Sequence, residues 1–178
     1  MASFTERMIG AARLDIGVYE EVEADTSATG QAMGVVLLSS LAGGIGSVGL
    51  GVGFGGMLIA VAAALIGWVA WACLIYLIGT RLLPEPQTHA DVGELMRALG
   101  FAQSPGLVRL AAGFFGTGTL VGLFQFIVLI WMLVTMVVAV RQALDYTSTM
   151  RAVGVCLVGW VLSIAINVVF LLLGSGVS

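Results

Sequence analysis

Long apolar runs separated by short polar stretches dominate the chain. Ala32 to Leu50 carries no charge over 19 residues, and Met57 to Ile78 none over 22. A membrane-crossing helix needs about 20 apolar residues, so these runs predict the first two spans, 32–50 and 57–78. Between them, Gly51-Val52-Gly53-Phe54-Gly55-Gly56 reads as a tight turn. A third apolar stretch runs from Leu107 to Val140. As one helix it would extend about 51 Å at 1.5 Å per residue, too long for a hydrocarbon core of about 30 Å. Gly116, Gly118 and Gly122 offer a break. The pattern therefore predicts a short third span over 107–119 and a full fourth over 120–140. The short one covers about 20 Å and should tilt little or end below the far surface. Ala152 to Leu173 predicts the fifth.

The polar stretches have their own periodicity. In residues 1–31, Phe4, Met8, Ala11 or Ala12, Val18 and Val22 form an imperfect helical stripe, with Glu6, Arg7, Asp15, Glu20, Glu21 and Glu23 on the remaining positions. This predicts an amphipathic N-terminal segment on the membrane surface or packed beneath the bundle. It lacks the cationic start and immediate apolar run of a signal peptide. Asp25 or Thr26 is placed to cap the helix that follows. Arg81 to His89, with Pro84 and Pro86, reads as a surface loop. Over 91–102, Val92, Leu95, Met96 and Leu99 recur at i, i+3, i+4 and i+7, with Asp91, Glu94 and Arg97 opposite. That predicts a short interfacial helix, ended by Ser104-Pro105-Gly106.

The expected fold is all-α: a polytopic membrane bundle of five transmembrane helices with short cytoplasmic amphipathic helices. Arginine placement orients it. With five spans and the N-terminus inside, Arg7, Arg13, Arg81, Arg97, Arg109, Arg141 and Arg151 all fall on the cytoplasmic side, satisfying the positive-inside rule. Merging the third and fourth spans would place Arg141 and Arg151 outside. The C-terminus is then extracytoplasmic.

Composition sharpens this picture. Of the 178 residues, 60% are apolar and 10% charged, against about 45–50% and about 25% in a soluble domain. Mean hydropathy is +1.10. There is no lysine, so no P-loop or Schiff-base lysine exists. His89 is the only histidine, which excludes a multi-histidine metal site within one chain. A net charge of −3 provides no basic patch for nucleic acid. An all-arginine cation set with abundant Ala, Gly, Val and Leu suggests a GC-rich bacterial genome, and so a bacterial cytoplasmic membrane. Cys73 and Cys156 sit in apolar runs without a CxxC and read as small buried hydrophobes.

The motifs point to packing more than to chemistry. Residues 51–56 match GxGxxG, but that fingerprint needs a strand before it and a helix after it. Glycines four apart, such as Gly30/Gly34 and Gly118/Gly122, let membrane helices approach closely. No cofactor, metal site or catalytic group is expected. No ionisable residue lies well inside the five spans, which argues against proton coupling. Gln125 and Asn167 are the candidates for interhelical polar contacts. On the cytoplasmic face, the acidic run Tyr19 to Asp25 needs cationic partners. Glu21, Asp25, Arg97, Arg141 and Arg151 form the candidate ion-pair and partner face, with Glu21 or Asp25 expected to pair with Arg141 or Arg151.

Three segments carry a resemblance: Tyr19-Glu20-Glu21-Val22-Glu23-Ala24-Asp25; Leu95 to Ala102 with Pro105-Gly106; and Val138 to Tyr146 followed by Arg151-Ala152-Val153. In these the chain resembles the Yip family, the Ypt/Rab-interacting membrane proteins, in its bacterial branch. The resemblance implies a multi-pass protein with a cytosolic N-terminus. The family's eukaryotic members are associated with small GTPases, vesicle traffic and membrane shaping; for the bacterial branch it implies a fold and no particular activity. Two functional classes stay open. One is a non-enzymatic membrane scaffold, adaptor or accessory subunit that binds membrane or cytoplasmic proteins, self-association included, through its cytoplasmic face. The other is a small transporter or channel. A continuous polar route through the bundle discriminates them.

Overall fold

The computed structural model describes residues 2–45, 54–115 and 118–175. Most of the glycine turn expected at 51–56, the end of the first expected span, and Gly116 fall outside the described residues. Among those described, every regular element is helical.

The N-terminal segment forms two helices, α1 (Phe4–Ala12) and α2 (Ile16–Ala24). Ser3 and Glu6 build a reciprocal capping box at the start of α1, which satisfies two otherwise orphaned backbone donors. The break falls at Arg13–Asp15, where Leu14 takes a left-handed φ of 64° and Asp15 caps α2. Gly10 makes the hairpin close, since a β-carbon there would strike Val18. Asp25 then caps a short 3-10 turn, Thr26–Ala28, that leads into α3 (Thr29–Ile45). Asp25 is one of the two capping positions, Asp25 or Thr26, expected from the sequence.

Helix α4 (Phe54–Leu77) continues into a π-helical turn, Ile78–Leu82. Helix α5 (Val92–Phe101) starts on a second capping box, Asp91 with Glu94. A 3-10 helix, Ser104–Phe115, follows, and then α6 (Thr119–Ala143) and α7 (Thr149–Ser175). Gly118, immediately before α6, has φ of 101°, a conformation glycine adopts without steric penalty. The predicted break between the third and fourth passes lies there.

Contacts set the directions of these elements. Thr135 of α6 donates to the Ala102 carbonyl at 2.7 Å, while Phe115 stacks on Phe124 with centroids 4.6 Å apart. The 3-10 helix therefore runs antiparallel to α6. Gly106 sits on Ser39 and Arg109 beside Gly43, so it runs parallel to α3. Gly159 of α7 faces Trp71 and Ile75, while Tyr146 reaches Gly79, making α7 antiparallel to α4. With α6 and α7 joined by a short turn, α3, the 3-10 helix and α7 point one way, and α4 and α6 the other.

The chain thus passes along the bundle five times, and four of the passes are helices long and apolar enough to cross a membrane: Thr26–Ile45, Gly55–Leu82, Thr119–Ala143 and Thr149–Val168. The expected third span is instead the 3-10 helix. At about 2.0 Å per residue it rises about 24 Å, short of the roughly 30 Å hydrocarbon core.

The core sits toward the end of the bundle that carries the charged loops. Ala11, Tyr19, Val22, Val35, Leu95, Phe101, Val140 and Leu144 are each fully buried there, drawn from α1, α2, α3, α5, α6 and the turn after it. Helix α5 is a plug more than a surface helix: Gly100 packs against the backbone of Ala32, and the Trp68 indole donates to the Met96 carbonyl at 3.0 Å. Elsewhere large apolar side chains lie exposed, among them Ile59, Ile66, Leu123 and Ile164. Acyl chains are the solvent that suits that surface.

Candidate functional site

The charged end of the bundle is organised by three buried ionic groups. Arg7, 1% exposed, projects from α1 into the angle between α2 and α3. Its Nη2 donates to Glu21 Oε1 at 2.8 Å and to Asp25 Oδ2 at 2.7 Å. Its Nη1 donates to Gln31 Oε1 at 3.0 Å. The Ala2 backbone N–H adds a second donor to Glu21. Arg7, then Ala2, holds the Glu21 carboxyl below its ordinary range. For Asp25 the Ser27 hydroxyl does most, with Arg7 second.

Arg97, 5% exposed on α5, donates through Nε to the backbone carbonyl of Glu23 at 2.9 Å and to that of Val22 at 3.1 Å, and its Nη2 also reaches Glu23. These carbonyls belong to the last turn of α2, where they lack intrahelical partners and carry the negative end of the helix dipole. The Glu23 carboxyl itself is pushed up to about 7, by burial first and then by Glu94 and Asp145.

Glu85, between two prolines, is the third group. Its Oε2 accepts from the Thr147 backbone N–H at 3.0 Å and hydroxyl at 2.8 Å, and from Gln87. Arg151 Nε lies 3.4 Å from Oε1, and Arg151 Nη1 donates to the Pro84 carbonyl at 3.0 Å. The Thr147 N–H holds the Glu85 carboxyl below its usual range. Beside it, the Tyr146 hydroxyl donates toward the carbonyls of Gly79 and Leu83 at 3.0 and 2.7 Å, which the π-helical turn leaves in need of donors. Burial, then the Glu85 charge, pushes that phenol up to about 12. The loop after α4 and the loop before α7 are thereby locked together.

The candidate residues are thus distributed differently from the expectation. Glu21 and Asp25 come together, but on Arg7 and not on Arg141 or Arg151. Arg97 binds backbone, Arg151 pairs with Glu85, and Arg141 donates to the Tyr146 carbonyl and the Thr149 hydroxyl, both at 3.2 Å. Asn167 donates to Ser163 on its own helix at 2.7 Å, where an interhelical contact was expected. The Gln125 side chain has no hydrogen bond among the described residues. Arg7 and Glu85 were not among the expected organising residues; the sequence pattern places Arg7 only outside the apolar stripe of the N-terminal segment. Arg109 was expected on the charged side. It lies beside Gly43, about 21 Å along α3 from Thr29 at 1.5 Å per residue.

Among the described residues no group of three His, Cys, Asp or Glu comes together as a metal site. The exposed charges at this end, Glu20, Arg81, Asp91, Asp145 and Arg151, mix both signs. A family model described as the Yip1 domain matches residues 18–171. The chain belongs to the Yip1 family. The match begins within α2 and ends within α7, so this Yip1-family chain carries the Glu21–Asp25 pair, Arg97, Glu85 and Arg151 inside the family unit, and Arg7 just before it. No curated protein and no solved structure gives a significant match to the chain.

Proposed function

We propose that this Yip1-family protein is a non-catalytic membrane scaffold, adaptor or accessory subunit that meets membrane or cytoplasmic proteins at its charged end, with that end and the N-terminus in the cytosol of a bacterium. The observation that carries the reading is the construction of that end. Arg7, Arg97 and Glu85 spend their charge internally, fixing four separate segments in place, and leave Glu20, Arg81, Asp145 and Arg151 exposed on a preformed surface. A surface of mixed sign held rigid suits polar recognition of a protein partner, because little ordering is needed on binding. The orientation rests on six of the seven arginines belonging to elements in the charged half of the bundle.

The test is co-purification from native membranes in mild detergent. A companion present in fixed proportion should be lost on Arg81→Glu or Arg151→Glu, with membrane insertion unchanged. The transporter reading draws on one observation, the arginine at position 109 deep in the bundle. Saturable solute flux in liposomes that depends on Gln125 or Asn167 would replace the adaptor with a transporter.

A further inference from the structure

A cavity of about 370 Å³ opens between α4, the α5 end, the 3-10 helix, α6 and α7. Small-molecule sites typically span about 300–1,000 Å³. Arg109, Gln103 and Trp71 line it, together with Trp68 and Trp160. Two of its donors are unused. Arg109 Nε and Trp71 Nε1 are both buried, and neither has a hydrogen-bond partner among the described residues. Other arginines find carboxylates or carbonyls, as at Arg7, Arg97, Arg141 and Arg151, or lie exposed, as at Arg13 and Arg81. No ion pair holds Arg109 among the described residues, although it is half-buried beside Gly43.

An arginine at membrane depth without an anion is strongly disfavoured, and such residues mark functional sites. Buried donors without acceptors point the same way. What the cavity lacks is an acceptor with negative charge. The route in is also visible. Gly67 and Leu129 line the cavity and are exposed on the lipid-facing surface, next to Ile66, which is 70% exposed. The cavity therefore opens sideways toward acyl chains, and its charged and amide groups, Arg109 and Gln103, lie on the 3-10 segment and its start.

We propose that this cavity binds an anionic amphiphile from the bilayer, a lipid whose phosphate or carboxylate headgroup accepts hydrogen bonds from Arg109 and Trp71 while its chain lies against Leu129 and Gly67. This inference stands apart from the adaptor reading, since it uses none of the exposed charges at the bundle's end. It gives Arg109 a role unrelated to solute movement.

Tryptophan emission reads the site, because Trp68, Trp71 and Trp160 all line it. The full chain in mild detergent is titrated with brominated-chain phosphatidylglycerol, brominated-chain phosphatidylcholine, and inorganic phosphate as competitor. Phosphatidylglycerol should quench saturably at about tenfold lower concentration than phosphatidylcholine. Arg109→Gln should abolish that preference, Arg109→Lys should retain most of it, and Arg81→Gln should leave it intact. Should Arg109→Gln fail to fold, Trp71→Phe removes one donor while keeping a smaller aromatic ring, leaves Trp68 and Trp160 as reporters, and should weaken the preference. Equal quenching by the two lipids, or a preference that survives Arg109→Gln or Trp71→Phe, overturns the proposal. Displacement of phosphatidylglycerol by inorganic phosphate at similar concentration overturns the lipid and assigns the site to a free anion.

Discussion

The Arg97 guanidinium closes the last turn of α2, donating to the Glu23 carbonyl 74 residues earlier in the chain, at 2.9 Å from Nε. This one side chain joins the N-terminal hairpin to the helix plugged into the bundle. Hydrogen bonds from charged groups contribute about 1.5–3 kcal/mol each. Lysine lacks the planar, preorganised fork with which Arg97 serves two carbonyls.

Arg97→Met should therefore loosen the hairpin without unfolding the spans. Limited trypsin digestion at the exposed Arg13 measures it. Cleavage should accelerate roughly tenfold or more, following the population of the opened state. An unchanged rate would mean that Arg97 does not hold the hairpin.

Gly100 brings α5 into close contact with α3 at Ala32. A β-carbon there would lie 2.7 Å from the Ala32 side chain and 3.1 Å from the Ala32 carbonyl oxygen. Backbone cannot move aside cheaply, so Gly100→Ala should destabilise by about 1–3 kcal/mol. A protein of this size loses about 2–4 °C in Tm per kcal/mol. Gly154, where a β-carbon would meet nothing within 4 Å, is the control; Gly154→Ala should leave the detergent melting temperature nearly unchanged.

Glu23 makes stability depend on pH in an unusual direction. Burial raises its folded pKa from 4.5 to about 7, so the folded state holds a proton that the unfolded state has released. Stability from this group is highest below about 4.5, declines as pH rises, and levels off above about 7. Glu21, Asp25 and Glu85 are shifted down and lose their contributions only as pH falls through their lowered values. Thermal unfolding between pH 5 and 7 isolates Glu23. The wild type should weaken across that window, and Glu23→Gln should be flatter.

The apolar runs made the membrane helices legible, because lipid imposes the same length and composition on each of them. Helix α5 was legible too, since Asp91 and Glu94 cap it and its stripe is regular. The hairpin break was not. Nothing in Arg13-Leu14-Asp15 signals a left-handed leucine, as a glycine would have. The third pass also escaped, because the composition of 107–119 does not distinguish an α-helix from a 3-10 helix. The ionic partners of Glu21 and Asp25 depended on that unseen break, which turns Arg7 back toward α2 and α3. Arg109 was misplaced for a related reason. Only the docking of the 3-10 helix along α3 carries it down to Gly43.

Topology follows from the directions of the five passes. Thr147 and the N-terminus lie at the same end, and the end of α7 lies at the other. Single cysteines at Ala2 and Thr147, in a chain with Cys73→Ser and Cys156→Ser, should react with an impermeant maleimide only after the cells are opened. Labelling of Thr147→Cys in intact cells would reverse the proposed orientation or break the five-pass arrangement.

The proposal that a preformed charged surface receives a protein partner is tested by photo-crosslinking in native membranes. A photoreactive residue is placed in turn at Glu20, Arg81 and Asp145, and at the lipid-facing Leu123 and Ile164. One adduct of common mass is expected from the first three positions and not from the last two. Arg151→Glu should abolish that adduct while insertion is unchanged. Absence of a common adduct from Glu20, Arg81 and Asp145, or an adduct indifferent to Arg151→Glu, would contradict it.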